Sequence, residues 1–154
     1  MLPDRTLVLV ELLLRKGADV NARIDGGYGW TPLHAAVYSG HREVAKFLIA
    51  SGADINAKDI FGLTPLHGPA LSGRKEAVDL LIANGADINA KDGTERTPLH
   101  WATVNGQKEF VELLIAKGAD INLKDAYGKS ALQLAIDWKY GAVAEVLRKA
   151  GAKE

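Results

Sequence analysis

Apolar residues recur along this chain at the spacing of an α-helix. The segment Glu76–Ile82 places its apolar side chains on one stripe with a period of 3.6 residues, and Gly85 follows at a position that commonly ends a helix. A shorter helix precedes this segment. Thr64 can cap its start, Pro65 takes the first helical position, where its missing N–H costs nothing, and Gly73 closes it. The pattern therefore predicts a short helix followed by a longer amphipathic one.

The same pattern returns with a step of 33 residues. The tetrapeptide Thr-Pro-Leu-His begins at Thr31, Thr64 and Thr97, and a degraded copy begins at Ser130. A second marker, Gly-Ala-Asp, keeps the same step and fades to Gly151-Ala152-Lys153. Each helix pair is too small to bury its own apolar side, so stacking of the pairs is needed to form one continuous core.

These markers resemble the ankyrin repeat, and the resemblance covers nearly the whole chain. It implies an all-α solenoid of stacked helix-turn-helix pairs with β-turn or hairpin connections, and a binding module with no chemistry of its own. We expect a single ankyrin-repeat domain over residues 1–154. Its parts are an N-terminal half repeat (1–22), three full repeats (23–57, 58–90 and 91–123) and a C-terminal capping repeat (124–154).

Composition and charge exclude several classes of protein. The 19 basic and 19 acidic residues balance, so the positive field that drives nucleic-acid binding is missing. The chain has no cysteine, which excludes disulfides and thiolate metal sites and fits a reducing compartment. The apolar run Leu7–Val10 is too short to span a bilayer. We expect no nucleic acid and no membrane as partners, and a cytoplasmic location with the nucleus as the alternative.

No motif indicates catalysis or a cofactor. The three motif histidines lie in stacked repeats about 10 Å apart, too far for one ion that needs bonds of about 2 Å, so we interpret them as capping residues. Gly26-Gly27-Tyr28-Gly29 lacks the Lys-Ser/Thr of a phosphate loop. The carboxylates Asp54, Asp87 and Asp120 recur with the repeat and are interpreted as turn residues. We expect no enzyme, no catalytic residue, no cofactor and no metal.

Departures from the repeat carry the remaining information. The turn Arg23–Trp30 has a two-residue insertion, which suggests either a binding loop or a tolerated one. Glu95 stands where the other turns have glycine, so we expect that turn to fold differently. Gly68-Pro69 should distort its first helix, and we expect Trp101 of the next repeat to pack on it.

Aromatic and apolar residues in the turns and first helices predict the partner-binding face. In the ankyrin family this concave side is the usual contact surface, and exposed Tyr and Trp are typical hot-spot residues. Some of these side chains could instead pack sideways on neighbouring turns. The predicted face comprises Tyr28, Trp30, Tyr38, Ile60, Phe61, Leu63, Leu71, Arg96, Val104, Asn105, Tyr127 and Trp138.

Leu7 and Val8 stand where later repeats carry a charged pair such as Arg42-Glu43. Terminal repeats normally carry a polar outer face. We therefore expect these two residues to contact another molecule, self-association included, or to mark a truncated repeat. The alternative is that Met1-Leu2-Pro3 folds back over them.

The sequence thus predicts a protein–protein interaction module that binds a partner protein through its concave face. Two alternatives stay open. The chain can be a targeting or scaffold segment of a larger enzyme or signalling protein whose chemistry lies elsewhere, or an engineered binder. The partner itself is not identified by the sequence, because one fold serves many functions.

Overall fold

The computed structural model describes residues 5–24 and 27–153 of the 154-residue chain. The expected fold-back of Met1-Leu2-Pro3 and part of the inserted first turn lie outside these residues. The described residues form nine helices. In chain order they are α1 (Arg5–Arg15), α2 (Pro32–Ser39), α3 (Arg42–Ala50), α4 (His67–Ser72), α5 (Glu76–Ala83), α6 (Pro98–Val104), α7 (Lys108–Ala116), α8 (Ala131–Asp137) and α9 (Gly141–Lys149).

The helices form two layers, which confirms the predicted all-α solenoid. The first helices α2, α4, α6 and α8 pack side by side in chain order, and α2, α6 and α8 each pack on the second helix that follows them. The leucine of each tetrapeptide motif is almost completely buried, as at Leu33 and Leu99. Each second helix from α3 onward adds a leucine to the same core, as at Leu48 and Leu114. Burial of these equivalent side chains makes one core of the stacked repeats.

All three motif histidines bond to the threonine of their own motif, in agreement with the capping interpretation, and two of them also connect neighbouring repeats. The backbone N–H of Thr64 donates to Nδ1 of His67, at 3.0 Å. That bond leaves the proton on Nε2, which donates to the carbonyl of Arg96 in the next repeat, at 3.2 Å. His34 makes the equivalent pair of bonds, to Thr31 and to Leu63. Burial lowers the pKa of both histidines, so they stay neutral at physiological pH.

Hydrogen bonds also connect the turns that precede the first helices. The second turn closes with a bond from Asp59 N to Leu63 O, and the third with one from Asp92 N to Arg96 O. Adjacent turns are joined by Ile60 N to Tyr28 O, Gly93 N to Phe61 O, and Ala126 N to Thr94 O. The turns therefore form a continuous row beside the first helices, and their backbones are held in place by their neighbours.

The expectation that Glu95 changes its turn is wrong. Glu95 adopts a left-handed φ of 59°, close to the 79° of Gly62 at the equivalent position. The closing bond of the turn is kept. A left-handed φ costs a non-glycine residue about 1 kcal/mol. The Glu95 carboxylate lies 3.0 Å from the ammonium of Lys91, and the turn is further held by Asp92, so the conformation persists.

Gly68 and Pro69 shorten the first helix of their repeat. Helix α4 begins at His67, whereas α2 and α6 begin at the motif prolines Pro32 and Pro98. With this later start, Pro69 falls at the third helical position, where no intrahelical bond to its nitrogen is required. The sequence predicts that Trp101 packs on Gly68. The atoms nearest to a Cβ built on Gly68 instead belong to Tyr38 of the preceding repeat, at 3.8 Å.

Restoring the first copy's sequence should lengthen α4 and stabilise the protein. The double variant Gly68→Ala, Pro69→Ala reproduces Ala35-Ala36, and a Cβ at position 68 has ordinary contact distances. Removal of one helical glycine and one proline should raise the free energy of unfolding by about 2 kcal/mol. Urea denaturation followed by circular dichroism measures the change, with Gly68→Ala alone as the matched control. A double variant no more stable than the wild type would contradict this account of α4.

Candidate partner-binding face

The candidate face consists of the turn row and the first helices α2, α4, α6 and α8. In each of the second, third and fourth turns, a buried aspartate holds the backbone in place by hydrogen bonds. In the second turn, Oδ1 of Asp59 accepts hydrogen bonds from the backbone N–H groups of Phe61 and Leu63. Its Oδ2 accepts from Nε1 of Trp30 in the preceding turn, at 3.2 Å. With the backbone polar groups satisfied from beneath, the side chains of Ile60 and Phe61 project outward.

Asp92 plays the same part in the third turn. Its Oδ1 accepts from Thr94 N, Thr94 Oγ1 and Arg96 N, and its Oδ2 accepts from Nε1 of Trp101 at 2.8 Å. Burial alone would raise the pKa of this carboxyl. The hydrogen bonds from Thr94, Trp101 and Arg96 outweigh the burial and lower the pKa below its usual range. Asp92 is therefore a charged carboxylate at the base of its turn.

Asp125 anchors the fourth turn and also binds a cation. It accepts from the backbone of Tyr127 and Lys129, and Nε of Arg96 lies 3.1 Å from its Oδ2. Burial opposes ionisation of Asp125, but the bond from Lys129 and the Arg96 guanidinium lower its pKa. The same guanidinium lies over the Trp101 ring, 5.7 Å from the ring centroid. Arg96 thus makes both an ion pair with Asp125 and a cation–π contact with Trp101 within the chain.

Four aromatic side chains from three segments form a cluster on this face. Tyr28 lies 6.0 Å from Trp30 and 5.7 Å from Phe61, between ring centroids. Trp30 contacts Tyr38 of α2 at 5.2 Å and stacks on His34 at 6.4 Å. These separations are within the usual range for aromatic pairs. The cluster joins the first turn, the second turn and α2 into one surface.

An apolar groove continues this surface between the second and third turns. Ile60, Phe61 and Leu63 form one wall, and Thr94 and Trp101 form the other. About half of the Phe61 side chain (52%) and more of Ile60 (65%) are exposed to solvent. Large apolar side chains with this exposure, held side by side, are typical of contact surfaces.

The structure brings together part of the predicted set. Each of its twelve members is at least partly exposed. Seven of them meet in the aromatic cluster, the groove or the small cleft beside Gly68: Tyr28, Trp30, Tyr38, Ile60, Phe61, Leu63 and Leu71. Arg96 lies next to them, although its charge is paired. The remaining four, Val104, Asn105, Tyr127 and Trp138, lie farther along the repeats.

Two residues that line the groove, Thr94 and Trp101, are not in the predicted set. For Trp101 the sequence predicts first a packing contact with Gly68 and only second a contact with a partner, and its ring lines the groove. Thr94 lines it beside Trp101. The signal available for Trp101 was its position after the motif histidine, in a first helix. The direction of its ring depends on the bond to Asp92, which a single sequence does not reveal.

Helix α1 has an exposed apolar side, but not at both predicted residues. Leu7 is half-buried and packs on the core of its own chain, whereas Val8 is exposed. Leu7 thus has contacts within its own chain, and the contact of Leu7 and Val8 with another molecule stays a prediction. Leu9 and Leu13, which are 55% and 50% exposed, also lie on the open side of α1.

The structure adds two observations on chemistry. In residues 5–24 and 27–153, His, Asp and Glu side chains form no group of three with the geometry of a metal site. None of the helices in these residues has the length and apolar character needed to cross a membrane.

Comparison with known proteins gives a consistent family. A family model described as ankyrin repeats (three copies) matches residues 5–92 and 70–154. Ankyrin repeat and SAM domain-containing protein 6 of Rattus norvegicus is 44% identical over 52 residues, which cover 34% of this chain and 6% of that protein. Human protein phosphatase 1 regulatory subunit 27 is 45% identical over 51 residues, 33% of this chain and 32% of that protein. Mouse 2-5A-dependent ribonuclease is 50% identical over 48 residues, 31% of this chain and 6% of that protein. The matched segments thus span a third or less of these relatives.

The turn carboxylates should make stability depend on pH. Their lowered pKa values mean that the stabilisation is complete above the ordinary aspartate pKa of about 3.9 and is lost as pH falls through the lower folded-state pKa. Asp92→Asn should lower the free energy of unfolding at pH 7 by about 1–3 kcal/mol, because its amide nitrogen cannot accept from Trp101. It should also flatten the acid limb of the stability curve.

Urea denaturation between pH 7 and pH 3 measures both effects. Asp87→Asn is the matched control, since Asp87 is an exposed turn carboxylate that accepts a bond from Asn89. Equal losses in the two variants would show that Asp92 has no special part in the turn.

Proposed function

Because this chain belongs to the ankyrin-repeat family, we propose that it binds a partner protein through the turn row and first helices of its middle repeats. Ankyrin repeats are in general protein-interaction modules, and the repeat is a non-catalytic fold. The observation that supports this surface is the aromatic cluster of Tyr28, Trp30, Tyr38 and Phe61, continuous with the groove beside Trp101.

The rigidity of the turns favours recognition over incidental exposure. Phe61 is positioned by Asp59 beneath its own turn and by the bond from Gly93 N to the Phe61 carbonyl. A side chain already held in place loses little conformational entropy when a partner binds. Sideways packing does account for part of the cluster, because Tyr28 contacts Phe61. Both rings nevertheless keep more than half of their surface exposed.

The members of the cluster should divide into contact and support residues. Trp30 is half-buried and donates to Asp59, so it mainly holds its neighbours in position. Tyr28, Ile60 and Phe61 have the greater exposure and would enter the interface. We propose that Tyr127 and Trp138 extend the surface for a long partner.

Loss of the exposed rings should reduce binding without loss of the fold. In the double variant Tyr28→Ala, Phe61→Ala, we expect capture of the partner to fall by more than about tenfold, or about 1.4 kcal/mol. The helical circular dichroism spectrum should stay that of the wild type, because both rings are exposed. The measurement is affinity capture from a lysate of the source organism, with the captured protein identified by mass spectrometry and its dissociation constant then determined.

The matched control is Glu112→Ala, which removes an exposed side chain from α7, in the layer of second helices and outside both proposed surfaces. Unchanged capture by the double variant, or a loss confined to Glu112→Ala, would contradict the proposed face.

The exposed side of α1 supports a second proposal, self-association. Leu9 and Leu13 stand where α3 has Val44 and Leu48. The latter two are buried, 4% and 1% exposed, because α2 covers them. In the described residues no first helix covers α1. We propose that a second copy of this chain covers Val8, Leu9, Leu12 and Leu13, and that the two α1 helices pack face to face.

Sedimentation equilibrium tests this proposal directly. The wild type should pass from monomer to dimer as its concentration rises into the micromolar range. Leu9→Lys, Leu13→Lys should remain monomeric with unchanged helicity, because burial of two ammonium groups in the interface is unfavourable. A wild type that stays monomeric up to the millimolar range would refute the dimer.

The alternative function, a targeting or scaffold segment of a larger enzyme or signalling protein, also has support. The matched relatives are longer than the segments they share with this chain, and one of them is named as a ribonuclease. The sequence of the natural gene decides between this alternative and an independent binding protein, and it also decides whether the chain is engineered.

A further inference from the structure

The repeats also differ from one another at the C-terminal ends of the first helices, away from the turn row. At three junctions, equivalent residues near the start of the second helix, Arg74, Gln107 and Tyr140, lie over a glycine at the end of the preceding repeat's first helix. Tyr140 covers Gly106, and a Cβ on Gly106 would lie 3.0 Å from that ring. Gln107 approaches Gly73 in the same way, at 3.9 Å. A Cβ on Gly40 would collide with the Arg74 guanidinium.

The junction at Arg74 contains a cavity of about 180 Å³. Its floor is apolar and formed by Ala36, Val37, Ala45, Ala77 and Leu80, of which the first three are almost completely buried. The cavity follows from the sequence. Ala77 occupies the position that Phe110 has in the next repeat, where the phenyl ring is 1% exposed. A methyl group thus replaces a phenyl group at this junction.

Charged groups stand only at the rim of the cavity. They are the guanidinium groups of Arg42 and Arg74 and the carboxylate of Glu76. Over residues 5–24 and 27–153, no ion pair or hydrogen bond engages either guanidinium. The first turns of α3 and α5 lie beside them without a side-chain cap, and the helix dipoles add positive potential there. Within the described residues the guanidinium groups at the rim therefore have no anionic partner, and the floor beneath them is apolar.

We propose that this cavity binds a small organic carboxylate with a compact apolar body of about the size of a benzene ring. A dry apolar cavity of about 150 Å³ is large enough for benzene, so the ring has room on the floor. The carboxylate would then lie at the rim, where guanidinium groups bind carboxylates through paired N–H donors. The Glu76 carboxylate, also at the rim, would repel the carboxylate of the ligand. The site is separate from the turn row, because the two surfaces lie at opposite ends of the first helices.

Benzoate is the probe for a test on the full chain, labelled with nitrogen-15. Titration should shift the backbone amide signals of Gly40, Ala45 and Ala77. Benzyl alcohol, which has the ring without the charge, should bind at least about tenfold more weakly, or about 1.4 kcal/mol. Acetate, which has the charge without the ring, and benzylammonium, which has the opposite charge, should leave these signals unchanged.

Variants separate the cavity from the rim. Ala77→Phe places the next repeat's residue in the cavity and should abolish benzoate binding, with a melting temperature equal to or above that of the wild type. Ala77→Val, which copies Val143 of the last repeat, is the substitute if the phenylalanine variant does not fold. Arg74→Gln should weaken binding and Glu76→Gln should strengthen it. Phe61→Ala, on the turn row, is the control and should bind benzoate as the wild type does.

Three results would overturn the proposal. The first is benzoate-induced shifts absent from this junction or located on the turn row. The second is equal affinity for benzoate and benzyl alcohol. The third is undiminished binding in a folded variant whose cavity is filled.

Discussion

The two hydrogen bonds that His34 and His67 each make determine how the first repeats stack. One ring nitrogen of His67 accepts from the N–H of Thr64 within its own repeat, and the other donates to a carbonyl of the next turn. An imidazole can make both bonds only in its neutral form with the proton on Nε2. Because His67 is fully buried, loss of either bond would leave a polar group without water. The same histidine side chain thus caps its own helix and fixes the position of the next repeat.

With the framework held in this way, substitutions at single repeat positions have local consequences. Glu95 takes the backbone conformation of the glycine it replaces, because the bonds of Asp92 hold the turn around it. Gly68 and Pro69 shorten α4, yet the leucine and histidine of their motif stay buried. The repeats tolerate such changes because neighbouring repeats supply most of the contacts of each unit.

The same tolerance creates surfaces with different chemistry at the two ends of the first helices. At the turn row, the backbone polar groups are hydrogen-bonded within the turns, and exposed apolar side chains on these turns form an aromatic surface. At the opposite end, the small side chain of Ala77 leaves a cavity, whereas Phe110 fills the equivalent junction of the next repeat. The first change favours a large flat partner and the second a small compact ligand. Both proposals rest on differences between equivalent positions of one chain.

The sequence by itself determined the architecture, because period, caps and apolar stripes are local properties that repeat. It also indicated that exposed aromatic residues of the turns and first helices form the candidate face. Only the tertiary structure decided which of these side chains meet. Trp30 and Trp101 are directed by carboxylates in the turns, Arg96 is held by Asp125, and Leu7 packs on its own core while Leu9 does not. These outcomes depend on distances between residues of different segments, and the cavity beside Arg74 depends on a volume that several helices share. Neither quantity is encoded at any single position of the chain.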